Sequence, residues 1–487
     1  MNLRLILYIM GQIMRVEGLL MLLPFACSLI YREDSWYALL IPIALLLALG
    51  TLLTLRRPAS RDRMGVRDGL FVVGTSWVVL SLFGMLPFIL CGAIPHPVDA
   101  FFETVSGFTT TGATVLGDVV GTLPEDLDRG IALWRALTHW IGGMGVLVLT
   151  LALLPQMSGR TSHLVRAESP GPTLSKIVPR MGDTAKLLYL IYGTLTVGNF
   201  LALLPSGMSL YDAAIHALGT AGTGGFSNYS ASVGHFASPW VNGVTTVFML
   251  IFGVNFALYY KIMIGDWKDA LKCEELHWFL GIFAGATMLI TLSILPEYGN
   301  NIFDALQHSA FQVASIMSTT GYATADFNLW PIAARMLILA LLFTGACAGS
   351  TAGGMKICRI GMMWKQGARE VRRTIQPRKV QLVRFEGKAV EEETLHQVAV
   401  FTFVYILFIV LGGALLSLEG RFDVQTNFTA ALTCVSNVGP GLGAVGPAGS
   451  FAGYGPFGKL LMSFLMLAGR LEFFPMLALF HPAMWRK

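Results

Sequence analysis

Charge is what this sequence has least of. Only 13% of its 487 residues are Asp, Glu, Lys or Arg, about half the share of a soluble domain. With 54% hydrophobic residues, the chain cannot cover a water-facing surface of its size. Disorder is excluded on the same ground, because it requires low hydrophobicity and high charge. Cysteine is also scarce. Cys27, Cys91, Cys273, Cys347, Cys358 and Cys434 stand mostly in or beside apolar stretches, with no CxxC pair. They read as small buried residues rather than a disulfide framework or metal site.

What the chain does have is long apolar runs. A bilayer core is crossed by about 20 apolar residues in a helix. Ten such runs are expected as spans: 5–30, 36–55, 69–92, 130–154, 185–205, 239–264, 276–295, 330–366, 396–418 and 456–481. Arg15 and Glu17 interrupt the first run, no small-x-small site follows it, and Trp36 opens the next. A retained span is therefore expected rather than a signal peptide. Basic residues gather in alternate connections: Arg56 to Arg67, Arg160 to Lys186, Lys261 to Lys272, ten within 356–388, and Arg486 with Lys487. The opposite connections carry only Arg32, Arg129 and Arg421 and are rich in Asp and Glu. This pattern predicts a multi-pass membrane protein with both termini cytoplasmic. The net charge of +5 is thereby a topology signal and does not point to nucleic acid.

Four external connections share one plan, a short helix-like run followed by a Gly-centred cluster. They read Val98 to Ser106 then Gly107 to Thr114, Tyr211 to Leu218 then Gly219 to Phe226, Phe303 to Phe311 then Met317 to Ala323, and Phe428 to Cys434 then Ser436 to Gly441. Aligned on Gly112, Gly224, Gly321 and Gly439, they define a fourfold internal repeat. The predicted fold is all-α: an N-terminal two-span appendage (1–62) and four span–short helix–loop–span repeats (63–158, 159–268, 269–375 and 376–487) around one pseudo-fourfold axis. Irregular backbone at membrane depth is tolerated only where protein buries it or it lines water. Four convergent loops can present rings of carbonyls that replace an ion's hydration shell, with Gly supplying the backbone angles.

Thr110-Thr-Gly-Ala-Thr114, Thr319-Thr-Gly-Tyr-Ala323 and Asn437-Val-Gly-Pro-Gly441 resemble the filter segments of the Trk/Ktr/HKT superfamily of potassium transporters. The resemblance covers nearly the whole length, and the extra span pair before the first repeat is similar to the Trk branch. It implies a potassium-conducting subunit that is not an enzyme and needs no organic cofactor. It also implies pairing as a homodimer in the lipid bilayer and gating by a cytosolic nucleotide-binding ring of TrkA type. Potassium would lie against Thr110, Thr111 and Gly112; Gly222, Thr223 and Gly224; Thr319, Thr320 and Gly321; and Asn437, Val438 and Gly439. In the plant HKT branch, Ser at the first-repeat position goes with sodium preference; Gly112 stands there here. The second and fourth loops lack the Thr-Thr pair, so a symmetric four-chain filter is a poor guide to the number of ion sites.

Run 330–366 is too long for one crossing, about 55 Å as continuous helix, and its middle reads Thr344-Gly-Ala-Cys-Ala-Gly-Ser-Thr-Ala-Gly-Gly354. Gly is costly inside helices, so a break is expected there. Two accounts remain: a helix-packing seam of small residues, or a flexible crossing beneath the loops with Gly345, Gly349, Gly353 and Gly354 as its hinges. The family resemblance implies the second, a gating loop. Arg470, deep in the last run, is either paired with Glu472 or snorkelling, or else a pore-facing cation that raises the barrier to ion passage. It resembles the last-helix Arg of the family. The basic linker 356–388 is either a topology-setting loop or a docking surface for the regulatory ring.

Other motifs carry less. Gly441-Leu-Gly-Ala-Val-Gly446 lacks a surrounding βαβ unit, and Met355 breaks the P-loop-like stretch Gly349 to Lys356. His139 and His216 lack ligand spacing and are expected to be packing residues. Asp99, Glu103, Asp212 and Asp304 stand near short-helix starts, where they favour cations electrostatically or, for the three Asp residues, cap helices. Two rivals to a conducting subunit stay open on these residues: a secondary symporter coupled to sodium or protons, and the translocating subunit of a pumping ATPase, which would need a catalytic partner.

Overall fold

The computed structural model describes residues 2–55, 65–117, 120–145, 181–379 and 381–485. The basic residues expected to orient the chain at Arg56 to Arg63, Arg160 to Arg180, Arg486 and Lys487 lie outside the described residues. So does the end of the fourth expected span.

Four repeats organise the rest. Each has a long helix, a short helix and a closing helix. In repeat 1 these are Val66–Gly84 (continued by Leu86–Leu90), Pro97–Phe108 and Arg129–Gly143; in repeat 2, Met181–Leu203, Leu210–Gly222 and Pro239–Gly253. In repeat 3 they are Glu274–Ile294, Ile302–Met317 and Ile332–Leu341; in repeat 4, Glu392–Ser417, Val424–Ser436 and Pro456–Arg470. Each short helix packs between the long and closing helices of its own repeat. The closing helices of repeats 1, 2 and 4 also pack on the short helices of repeats 2, 3 and 1. These contacts link the short helices of repeats 4, 1, 2 and 3 in that order, and the loops that follow their C-terminal ends close the ring between repeats 3 and 4.

Ten crossings were the expectation; the described residues hold six continuous apolar helices long enough to span, plus one bent pair. The difference lies wholly in the closing helices. Those of repeats 1, 2 and 4 run 15 residues each before ending, at Gly143, Gly253 and Arg470, and that of repeat 3 runs 10, to Leu341. In repeat 2 the chain then bends by 91° into Phe256–Met263, where the Asn255 side chain caps the new helix by accepting from Ala257 N–H at 2.9 Å. Hydropathy runs unbroken through Phe252-Gly-Val254, so the average over the segment hides a turn set by one Gly and one capping Asn. The long basic linker is mostly the helix Ile357–Ile375, followed by a two-stranded hairpin, Arg384–Phe385 with Lys388–Ala389. That hairpin is a small departure from an all-helical chain.

The appendage consists of Leu3–Leu20, Leu22–Tyr31 and Trp36–Thr54. Its first and last helices cross where glycine faces glycine: a Cβ on Gly11 would lie 2.8 Å from Gly50 O and from Leu53 Cβ. We expect Gly11→Ala to push these helices apart and lower stability by about 1–3 kcal/mol. Gly193→Ala, on the long helix of repeat 2 with nothing within 4 Å, should be neutral or slightly stabilising. Thermal unfolding of the purified variants checks both.

Candidate functional site

The site is built where the short helices stop. In each repeat a residue at the helix end takes a left-handed conformation: Thr110 (φ 56°), Thr223 (52°), Thr319 (56°) and Asn437 (55°). The next amide folds back to the carbonyl five residues earlier: Thr111 to Ser106 (2.9 Å), Gly224 to Gly219 (3.0 Å), Thr320 to Ser315 (2.8 Å) and Val438 to Thr433 (3.1 Å). This is the Schellman closure of a helix. A second left-handed residue follows in all four, Gly112 (77°), Gly225 (81°), Gly321 (83°) and Gly439 (94°).

The register of repeat 2 therefore differs by one from the sequence alignment. Gly225, not Gly224, has the conformation of Gly112. Gly224 occupies the place of Thr111, and it is glycine for another reason: a Cβ there would lie 2.2 Å from the ring of His139. Gly222 likewise sits against the backbone of the closing helix, where a Cβ would lie 2.3 Å from His139 O. Two adjacent glycines made the alignment ambiguous; the constant distance from the helix stop resolves it.

The four loops meet backbone to backbone in cyclic order. A Cβ on Gly112 would lie 2.0 Å from Gly224 O, one on Gly225 2.0 Å from Thr320 O, one on Gly321 2.2 Å from Val438 O, and one on Gly439 2.7 Å from Thr111 O. Side chains tie the joints. Asn437 Nδ2 donates to Thr111 Oγ1 at 2.9 Å, and Tyr322 OH donates to Phe226 O at 3.3 Å. His139 accepts from Phe226 N–H at Nε2 (3.2 Å) and so donates from Nδ1 to Gly107 O (2.8 Å), joining the first short helix to the second loop. Thr109 and Thr111 hydroxyls bond each other at 2.8 Å, and Ser318 and Thr320 do the same at 2.7 Å. Repeats 1 and 3 are thus alike and differ from 2 and 4. The negative ends of four helix dipoles converge on this ring. No cluster of three or more His, Cys, Asp or Glu suited to a metal occurs among the described residues, so the polar atoms offered here are those of backbone and short side chains.

Beneath the ring lies the break in repeat 3. Residues 342–356 leave helical geometry, with Gly345, Gly349 and Gly354 left-handed at 69–71°. Gly353 is not left-handed; it is needed for close approach, since its Cβ would lie 2.5 Å from Ser436 O, in repeat 4. Cys347 N–H donates to Gly253 O and Phe256 N–H to Gly349 O, both at 3.0 Å, which fastens the segment to repeat 2. Gly353 N–H donates to Thr319 Oγ1 at 2.8 Å. Arg470 brings in repeat 1, donating to Thr351 O (2.8 Å), Thr110 Oγ1 (3.2 Å), Gly142 O (2.6 Å) and Gly143 O (2.8 Å). A packing seam between two helices does not describe this segment. Glu472 pairs instead with Arg359, at 2.5 Å.

The acidic residues near the short-helix starts are placed differently from expectation. Glu103 is fully buried and paired with Arg135 at 2.7 Å, while accepting from Thr114 Oγ1 and Val115 N–H at 2.9 Å. It is no mouth charge. The caps are Ser209, Asn301 and Asp423; Asp212 and Asp304 lie three residues inside, bonded to Ser209 and Asn301. Asp99 pairs with Lys459 at 2.7 Å. The hydrogen bonds that Asp423 accepts from Thr426 hold its carboxyl below the usual range. The P-loop-like stretch ends with Lys356 buried and donating to Ala352 O at 2.6 Å. His216 is a packing residue, bonded at both ring nitrogens to Asp212 O (2.8 Å) and Ser227 Oγ (3.0 Å).

A helical, multi-span membrane protein whose fourfold repeat closes a ring of four backbone loops has the architecture of a cation transporter. Comparison with known proteins places it further. The family model described as "TrkH: Cation transport protein" matches residues 37–487. The Trk system potassium uptake protein TrkH of Salmonella typhimurium is 36% identical, and that of Escherichia coli K12 35%, each over the whole of both chains. The crystal structure of the potassium transporter TrkH from Vibrio parahaemolyticus superposes with a TM-score of 0.89 at 34% identity, again over the whole of both chains. The chain belongs to the TrkH family of cation transport proteins, which are transporters and not enzymes.

The Glu103–Arg135 pair generates a test of how the first loop is held. Arg135 is 4% exposed, its guanidinium lies 3.5 Å over the Phe226 ring, and its Nη1 donates to Ser227 O at 2.9 Å. Removing it strands a buried carboxylate. We expect Arg135→Met to lose about 3–5 kcal/mol and the double variant with Glu103→Gln to recover part of that, measured by thermal unfolding in detergent.

Proposed function

We propose that this chain is the potassium-conducting transmembrane subunit of a bacterial Trk-type uptake system in the inner membrane, with both termini cytoplasmic. The observation that carries this reading is the cyclic backbone contact of the four loops, each with the same two left-handed residues at the end of a short helix. Carbonyls of Thr110 to Gly112, Thr223 to Gly225, Thr319 to Gly321 and Asn437 to Gly439 replace water around potassium, and the four dipole ends favour a cation there. The names of the full-length relatives support potassium as the ion.

The 345–354 crossing and Arg470 act as the gate. The crossing closes the path below the ring, and a unit charge about 6 Å from a passing ion adds roughly 3 kcal/mol at an effective dielectric near 20. The chain works as a homodimer under a cytosolic nucleotide-binding ring of TrkA type. The basic linker, with Arg372, Arg373, Arg378 and Lys379, is the surface that meets the ring.

Two experiments test this. Reversal potentials in liposomes under potassium and sodium gradients should report potassium preference, and Gly112→Ser should reduce it, because the new side chain presses on the Gly224 carbonyl. An unchanged permeability ratio in folded protein contradicts the assignment of that loop. Arg470→Ala, without any partner protein, should raise basal potassium flux with the preference retained. Flux at the wild-type level would remove Arg470 from the gate.

A further inference from the structure

The 345–354 crossing is also held by groups that the ring does not use. Glu275, in the first turn of the long helix of repeat 3, is 5% exposed. Its Oε1 accepts from Ala348 N–H at 2.7 Å and from Cys358 N–H at 3.1 Å. One amide lies within the crossing and the other just past its end, and Ile357 N–H bonds Ala346 O at 2.9 Å beside them. One carboxylate oxygen clasps both arms of the segment.

The turn that carries Glu275 is itself capped by the basic linker. The hairpin Arg384–Phe385 with Lys388–Ala389 turns on Glu386 (φ 53°) and Gly387 (φ 72°), the twist a two-residue hairpin turn requires. Glu386 Oε1 accepts from Glu275 N–H at 3.0 Å and from Cys273 Sγ at 3.2 Å. Glu386 N–H donates to Glu274 Oε2 at 3.1 Å. Lys365 pairs with the other Glu274 oxygen and donates to Arg384 O at 2.8 Å. Phe385 lies against Gly361, where a Cβ would be 2.8 Å from its ring. The hairpin is thus wedged between the two helices that anchor the crossing.

We propose that Glu386 and Glu275 are positioning residues in a two-carboxylate relay that couples the hairpin to the crossing. Moving the exposed hairpin uncaps the Cys273 to Glu275 turn, loosens the Glu275 carboxylate and releases both clasped amides together. The proposal rests on the reading of the crossing as a gate, and its test separates the two.

Amide hydrogen exchange is measured on the full chain in nanodiscs, together with basal cation flux. Glu275→Ala removes the acceptor of both clasped amides and is expected to speed exchange across 346–358 by more than about tenfold, since even one hydrogen bond to a charged acceptor is worth at least that. Glu275→Gln keeps an acceptor oxygen and should restore most of the protection. Glu386→Ala should speed the same peptide, and the double Ala variant should go no faster than Glu275→Ala alone. Peptides from 424–439 should keep wild-type rates. Gly387→Val strains the turn in open space and should act in the same direction should Glu386→Ala fail to assemble. Loop exchange unchanged in both Glu386→Ala and Gly387→Val, or a double variant whose effect is the product of the singles, overturns the relay. Faster exchange with unchanged flux supports the relay and contradicts the gate.

Discussion

Backbone-on-backbone contact among four loops is the constraint from which the rest follows. Each loop places a non-glycine residue in the left-handed region, at a cost of about 1–2 kcal/mol. The fold-back hydrogen bond that each gains is worth roughly 0.5–1.5 kcal/mol net. A single loop therefore has little reason to hold this shape alone. What holds it is the neighbour: the Gly112–Gly224, Gly225–Thr320, Gly321–Val438 and Gly439–Thr111 approaches leave no room for a side chain. Strain of this kind persists where the surroundings over-determine it, and here the surroundings are the other three loops.

The same constraint shapes what lies below. The closing helices stop at Gly143, Gly253, Leu341 and Arg470, which brings backbone rather than side chains to the underside of the ring. Arg470 exploits that. Its guanidinium satisfies the carbonyls of Gly142 and Gly143, groups that a helix end leaves open, and that of Thr351 in the crossing. One residue therefore ties the ends of two closing helices to the crossing segment and, through Thr110, to the ring. Arg359 and Glu472 pair just beyond it, where Glu472 and Phe473 both have positive φ, 55° and 63°.

Much of this was legible in the sequence, and the failures have physical causes. The repeat, the appendage, the break within 330–366 and three of the four loop glycines could be read from spacing and composition. Sequence carries no φ angle, so it does not separate Gly225 from Gly224: Gly222 and Gly224 are shaped by His139, and Gly225 by the Thr320 carbonyl. The breaks in the closing helices do not show in hydropathy, because apolar side chains continue, as through Gly253 and Val254, while the backbone turns. Glu103 looked like an exposed charge because its partner, Arg135, lies 32 residues away. The Glu275 clasp was invisible for the same reason: its amides are 73 and 83 residues distant.

The central claim is that one cation path runs through the centre of the ring. Anomalous scattering from crystals grown in rubidium, a potassium mimic with a usable absorption edge, tests it most directly. The account predicts a peak on the pseudo-fourfold axis, equidistant from the carbonyls around Gly112, Gly225, Gly321 and Gly439. Rubidium bound only at the acidic loops outside the ring, with none on the axis, would contradict it.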